Sequence, residues 1–147
     1  MGSKRSWKTA WGEGWRLIDA NVVIYAAGKD HPLQEEARKV LDRLAEGTLH
    51  ANTDAEVLQE ILHVYNARGE RRKGFDTIDD LLVLFPNPIP IGREEIEAAR
   101  DLMRTYSFLG ARDAIHAAVV QTHDLEGIVT ADKVFDRIKG IKRFDLK

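Results

Sequence analysis

The stretch Trp15-Arg16-Leu17-Ile18-Asp19-Ala20-Asn21-Val22-Val23-Ile24-Tyr25-Ala26-Ala27 decides the fold. Its first part has the length of a short strand that begins at Trp15 and ends near Asp19. From Ala20 onward a helix follows, and Asp19 has the chemistry of its N-cap. A cap alone leaves something unexplained. An ionised carboxylate between two apolar runs loses hydration worth several kcal/mol unless a cation or hydrogen-bond donors replace the water. Glu60, Asp113 and Asp132 pose the same problem, each standing where an apolar residue is expected or at a break in an apolar run. Several such acids in one chain suggest a shared divalent cation, and that points to hydrolytic chemistry.

Working outward, Asp30-His31-Pro32 reads as a helix start, with Asp30 as N-cap and proline in the first turn. Leu33, Ala37, Val40, Leu41 and Leu44 follow at helical spacing, and Gly47 closes that helix. Thr48 to Asn52 is a candidate second strand. Thr53-Asp54-Ala55-Glu56 has the form of a capping box, opening a helix whose core face is Val57, Ile61 and Tyr65. A helix is expected from Thr77 to Phe85, stopped by Pro86-Asn87-Pro88, with a strand at Ile89-Pro90-Ile91. Ile96, Ala99, Met103 and Tyr106 mark another amphipathic helix. Arg112 to His123 reads as a buried helix, Gly127 to Thr130 as a strand, and Arg143-Phe144 as the start of a last short one. Strands alternating with helices imply an α/β fold around a parallel sheet. In such sheets ligands bind beyond the carboxyl ends of the strands, where Asp19 and Asp132 fall.

The whole chain sets bounds. Its 147 residues suit one domain with a real core. Residues 1–14 read as an extension: Met1-Gly2-Ser3 resembles a cloning remnant and Gly12-Glu13-Gly14 a flexible join, leaving 15–147 as the folded domain. No apolar run approaches the roughly 20 residues of a spanning helix, and no signal-peptide pattern appears, so the expected location is cytoplasmic. There is no cysteine, so any metal must use oxygen or imidazole ligands. A net charge of −2 argues against a surface that coats nucleic acid as a whole. Local basic stretches remain at Arg68 to Lys73 and Arg137 to Arg143, and solvated surface charge is the favoured reading of each.

Each acid has a plain structural reading beside the chemical one. Glu56 falls three residues after Thr53, so the capping box accounts for it. Glu60 has no such account and is the better ligand candidate. Asp113 would complement the dipole at a helix start. Asp132 is explained as a cap almost as well as a ligand, and Asp136, one turn later, fits an accessory role through water. Asn21 is placed to orient Asp19. Glu60-x-x-His63 and Asp113-x-x-His116 put acid and imidazole on one helical face. Paired Glu-x-x-His helices bind di-iron in four-helix bundles, but an aspartate in one pair and a strand before Asp19 fit that poorly. His63 and His116 are therefore read as core residues or as groups that orient a ligand.

Leu17 to Tyr25, Val57-Leu58-Gln59-Glu60-Ile61-Leu62, Arg112-Asp113-Ala114-Ile115-His116-Ala117-Ala118 and Val129-Thr130-Ala131-Asp132-Lys133-Val134-Phe135-Asp136 together resemble the PIN-domain family, in particular the VapC-type toxin ribonucleases. The resemblance covers residues 15–147, and its strength lies in four weak motifs in the expected order. It implies a three-layer α/β/α sandwich, an acidic pocket for Mg²⁺ or Mn²⁺, and metal-dependent cleavage of RNA. By motif, the metal-binding and catalytic acids would be Asp19, Glu60, Asp113 and Asp132, with Asp136 accessory and Thr130 lining the pocket. It also implies a cognate antitoxin laid across the groove, and a homodimer. The first motif usually sits almost at the chain start, so the extension is the main departure.

Physical chemistry fits the same assignment. Magnesium and manganese favour carboxylate and water oxygens. Clustered carboxylates repel one another until a cation enters, which raises some of their pKa values. The expected reaction is in-line attack by an activated water on an RNA phosphodiester, leaving 5′-phosphate and 3′-hydroxyl ends. Arg112, or a residue of the 68–73 stretch, is a candidate phosphate contact. Three rivals stand beside this reading: a PIN-domain RNA-processing nuclease without an antitoxin, a non-catalytic PIN-like module binding RNA or protein, and a phosphatase with an aspartate nucleophile. The last expects a second aspartate after Asp19, where Asn21 stands.

Overall fold

Leu17 and Ile18 are both fully buried, yet they enter different cores. Successive strand residues point to opposite faces, so two adjacent buried side chains mean a strand covered on both sides. This strand, β1 (Arg16–Ile18), lies between two parallel neighbours, β2 (Ala51–Asn52) and β3 (Gly127–Val129). Leu17 registers with Asn52 on one side and Ile128 on the other. Beyond β3 lies β4 (Arg143–Phe144), giving a parallel sheet in the order β2-β1-β3-β4. The computed structural model describes residues 14–147. Apart from Gly14, the extension expected over residues 1–14 lies outside the described residues.

The helices divide between the two faces. Ile18 and Val129 pack with α1 (Ala20–Ala27), α2 (Gln34–Glu46), α3 (Ala55–Ala67) and α4 (Arg71–Leu84). Leu17 and Ile128 pack with α5 (Arg93–Thr105), α6 (Ala111–Thr122) and a 3₁₀ turn at Lys133–Arg137. The result is the expected three-layer α/β/α sandwich. On α3 the buried residues are Val57, Ile61 and Tyr65, as the spacing predicts. Gly47 ends α2 in the left-handed conformation at φ 77°, its N–H reaching the carbonyls of Arg43 and Leu44.

Several local expectations are corrected. Helix α2 starts at Gln34, not at an Asp30 cap, because His31 organises the turn. Its Nδ1 accepts from Leu33 N–H at 3.0 Å, and its ring stacks on Tyr25 with centroids 3.8 Å apart. Helix α4 starts at Arg71, six residues before Thr77. The strand expected at Ile89–Ile91 is a single bridge between Asp54 and Ile89. On α5 the buried face is Glu95, Ala99 and Leu102, while Ile96 and Met103 are exposed. The Glu95 carboxylate turns back to accept from Gly92 N–H at 2.9 Å, which satisfies a polar group on the buried face. His63 is exposed and not a core residue, because it lies opposite the Val57-Ile61-Tyr65 face of α3.

Candidate metal centre

Strands β1, β2 and β3 all run out at the same edge of the sheet into acids or hydroxyl residues: Asp19, Thr53-Asp54, and Thr130 with Asp132. From β1 the chain passes to β2 on one side, and β3 returns on the other, so the edge beside β1 is a topological switch point.

Asp19 is buried and fully committed. Its N–H extends the β1–β3 ladder to Val129 O at 3.1 Å, and its Oδ1 caps α1 by accepting from Ala20 N–H at 2.7 Å. Its Oδ2 accepts from Thr130 Oγ1 at 2.8 Å and from Asn21 Nδ2 at 3.4 Å. The Thr130 hydroxyl, also buried, accepts in turn from Asn21 Nδ2 at 2.9 Å and from Asp132 N–H at 3.0 Å. One donor and two acceptor positions are all a hydroxyl offers, so its rotamer and that of Asp19 are fixed together. Asn21 and Thr130 thus meet Asp19, where the sequence places them.

Behind Asp19 lies a buried pair. His116 of α6 and Asp54 have no solvent exposure, and His116 Nδ1 lies 2.8 Å from Asp54 Oδ2. The other Asp54 oxygen caps α3, accepting from Val57 N–H at 2.8 Å. The N-cap read at Thr53 is therefore displaced by one residue and no capping box forms: Asp54 is the N-cap with Val57 at the third helical position, and Thr53 Oγ1 turns to Ile18 O at 3.4 Å. Burial alone would lower the His116 pKa. The charge and hydrogen bond of Asp54 outweigh burial, Asp19 and Glu60 add to them, and the pKa stands at about 9. The far nitrogen, Nε2, points to Asp19 Oδ1 at 3.7 Å and has no hydrogen-bond partner among the described residues.

Glu60 comes in from α3. One carboxylate oxygen of Glu60, one of Asp19 and one nitrogen of His116 all lie within 4.8 Å of each other, close enough to share a single cation. Arg112 Nη1 donates to Glu60 Oε1 at 2.6 Å and its Nε lies 3.9 Å from Glu56 Oε1, with half of its side chain exposed. Glu56 is thus an ion-pair partner of Arg112, not a capping residue.

Asp113 opens α6 and is half-buried. Burial is the largest cause of its rise to a pKa of about 6, and repulsion from Asp132, Asp19 and Glu60 pushes the same way, against an opposing pull from His116. The four acids singled out in sequence thus act on one another. Asp132 is exposed and caps the 3₁₀ turn, accepting from Val134 N–H at 3.0 Å. Asp136 accepts from Arg143 Nε at 2.9 Å, and the same guanidinium donates to Thr130 O at 3.2 Å. A donor set of carboxylates with one imidazole suits a divalent cation. The like-charge load on Asp113 and the orphaned Nε2 of His116 are what such a cation would relieve.

Sequence reasoning missed Asp54 and the pair it forms. A signal was present: Asp54 follows β2 as Asp19 follows β1, an acid between strand and helix. The capping-box pattern at Thr53 hid it.

The family model described as PIN domain matches residues 16–141. The VapC ribonuclease Mb1869c of Mycobacterium bovis and ribonuclease VapC13 of Mycobacterium tuberculosis are each 39% identical over 127 residues, 86% of this chain and 97% of theirs. Ribonuclease VapC23 of Mycobacterium tuberculosis is 35% identical over 79% of this chain and 91% of its own. Among solved structures, a chain of VapBC2 from Rickettsia felis bound to a promoter DNA fragment has a TM-score of 0.72 at 16% identity, covering 89% of this chain and 98% of that one. A chain of FitAcB from Neisseria gonorrhoeae has a TM-score of 0.67 at 18% identity, covering 88% and 96%. The structural matches bear on fold, and the matches in sequence carry further: this chain belongs to the PIN-domain family.

Proposed function

We propose that this protein is a divalent-metal-dependent endoribonuclease, the toxin of a type II toxin–antitoxin pair. The observation that carries the reading is the meeting of Asp19 and Glu60 with buried His116 at the switch point of the sheet, within the field of Asp113 and Asp132. Its relatives in the same family, named VapC ribonucleases at 35–39% identity, support the substrate class. Asp19, Glu60, Asp113 and Asp132 hold Mg²⁺ or Mn²⁺, oxygen-seeking cations that accept few protein ligands. When bound, such a cation lowers the pKa of water and stabilises charge on the scissile phosphate. The chain's own part is preorganisation. Thr130, Asn21 and Ala20 N–H fix Asp19 in one rotamer, so no side-chain reordering is needed as the cation enters. Arg112, pinned to Glu60 at the half-exposed rim, is placed to hold a phosphate beside the scissile one.

An antitoxin partner is supported by the relatives' VapC name and by the toxin–antitoxin complexes that contain similarly folded chains. A homodimer and a cytoplasmic location complete the proposal. No helix among the described residues is long and apolar enough to cross a membrane.

End-labelled RNA incubated with the full chain tests the reading. Cleavage is expected with Mg²⁺ or Mn²⁺, and none with EDTA. Asp19→Asn should lower the rate by more than about 100-fold, beyond the 10–100-fold typical when a group that only orients a metal ligand is changed. Asparagine keeps the cap on α1, but its Nδ2 meets the Thr130 and Asn21 donors, so a thermal melt of the variant accompanies the assay to separate loss of charge from loss of fold. Cleavage that survives both EDTA and Asp19→Asn sinks the proposal. Co-expression with the product of a small neighbouring gene should suppress cleavage if the chain is a toxin.

A further inference from the structure

His116 is more than a packing residue. It is fully buried, its Nε2 is orphaned and lies 3.7 Å from Asp19 Oδ1, and one ring nitrogen lies within 4.8 Å of a carboxylate oxygen of both Asp19 and Glu60. A buried nitrogen without a partner carries an uncompensated desolvation cost unless something satisfies it. Its other nitrogen is held by Asp54 Oδ2 at 2.8 Å, and Asp54 is itself fixed by its role as cap of α3. With Nδ1–H donating to Asp54, the proton on Nε2 is the one a cation would displace, and the lone pair it leaves faces Asp19. Carboxylate, histidine and cation in that order is the arrangement that orients an imidazole ligand and raises its basicity.

Resting on the reading that the acid cluster binds a divalent cation, we propose that His116 Nε2 is a direct ligand of that cation, adding one nitrogen to the carboxylate oxygens that hold it. Two consequences follow from ligand chemistry. An imidazole ligand favours Mn²⁺ and later first-row metals over Mg²⁺, which prefers oxygen and keeps its waters. Binding also displaces one proton from Nε2, as for any imidazole ligand. The site would therefore select manganese over magnesium at equal concentration, a preference that an all-carboxylate cluster lacks.

The test uses the full chain loaded with Mn²⁺ and pulsed electron paramagnetic resonance, which detects nitrogen bound to manganese without reference to activity. A directly coordinated ¹⁴N coupling is expected, replaced by ¹⁵N after histidine labelling and absent in His116→Gln. That variant should also lose about tenfold in its preference for Mn²⁺ over Mg²⁺ by equilibrium dialysis. Should His116→Gln fail to fold, the unaltered chain suffices: adding Zn²⁺ should move the ¹⁵N resonance of His116 Nε2 more than that of any other histidine. Mn²⁺ bound with no coordinated nitrogen, or a Zn²⁺ shift confined to other histidines, overturns this inference and leaves the metal-dependent reading intact. Failure to bind Mn²⁺ at all, or binding unchanged by Asp19→Asn, overturns both.

Discussion

Asp54 performs two tasks with one carboxylate, capping α3 through Oδ1 and holding His116 through Oδ2. Both residues are fully buried, so removing one leaves the other as an uncompensated polar or charged group. Asp54→Ala should cost about 3–5 kcal/mol, the range for breaking a buried pair from one side, and urea unfolding measures it. A loss below about 1 kcal/mol would mean that His116 is neutral and relaxes freely. Asp113 gives a pH prediction whose sign differs for stability and for binding. Its folded pKa of about 6 lies above its ordinary 3.8, so the folded state holds the proton longer. Its contribution to stability is therefore full below its ordinary value and is lost as pH rises through about 6. Cation binding uses the ionised form, so metal affinity should rise over the same interval, and Asp113→Asn should flatten the rise. Calorimetric Mn²⁺ titrations on either side of about pH 6 check this; affinity independent of pH there would contradict it. At this scale the sequence showed which acids were anomalous, because an acid inside an apolar run violates a solvation rule visible in one dimension. It did not show Asp54, whose partner His116 is 62 residues away.

Helix faces were legible where the buried side was apolar throughout, as on α3, and failed on α5, where Glu95 takes a buried position through its bond to Gly92 N–H. Spacing rules count apolar residues and are blind to a polar group that finds its partner locally. The two-residue β2 and the single bridge at Ile89 fall below the length at which alternation registers. The early start of α4 was hidden because Arg71-Arg72-Lys73-Gly74 has no apolar period. Gly74 itself marks the crossing of α3 and α4. A β-carbon there would come within 2.9 Å of Tyr65 Cβ, and Tyr65 is fully buried with no room to withdraw. Gly74→Ala thus sets two effects against each other. Helix propensity gains about 1 kcal/mol, while overpacking costs about 1–3 kcal/mol. Because the contact is to Cβ and not to a flexible tip, overpacking should win, and thermal unfolding should show a net loss of about 1 kcal/mol. A rise in Tm would show that the two helices separate without cost.

Across the whole molecule, three parallel strands deliver their carboxyl ends to one edge, and both cores lie on either side of that edge without filling it. The fold therefore concentrates acids at a point where no apolar contact rewards their burial. Burial first, and repulsion from Asp132, Asp19 and Glu60 after it, raise the Asp113 pKa, and a bound cation would offset both penalties. A ligand that binds only the folded state adds about 2.7 kcal/mol at 100 times its Kd. In a domain of this size each kcal/mol shifts Tm by about 2–4 °C, so saturating Mn²⁺ should raise Tm by about 5–10 °C. EDTA should return the protein to the lower value. Asp113→Asn should narrow the gap from below, since it removes one of the repelling charges before metal is added. Asp19→Asn should lose most of the metal-induced rise while keeping its cap on α1. Differential scanning calorimetry of the three proteins, each with Mn²⁺ and with EDTA, separates these outcomes. Equal metal-induced shifts in all three would place the stabilising cation somewhere other than the edge formed by β1, β2 and β3.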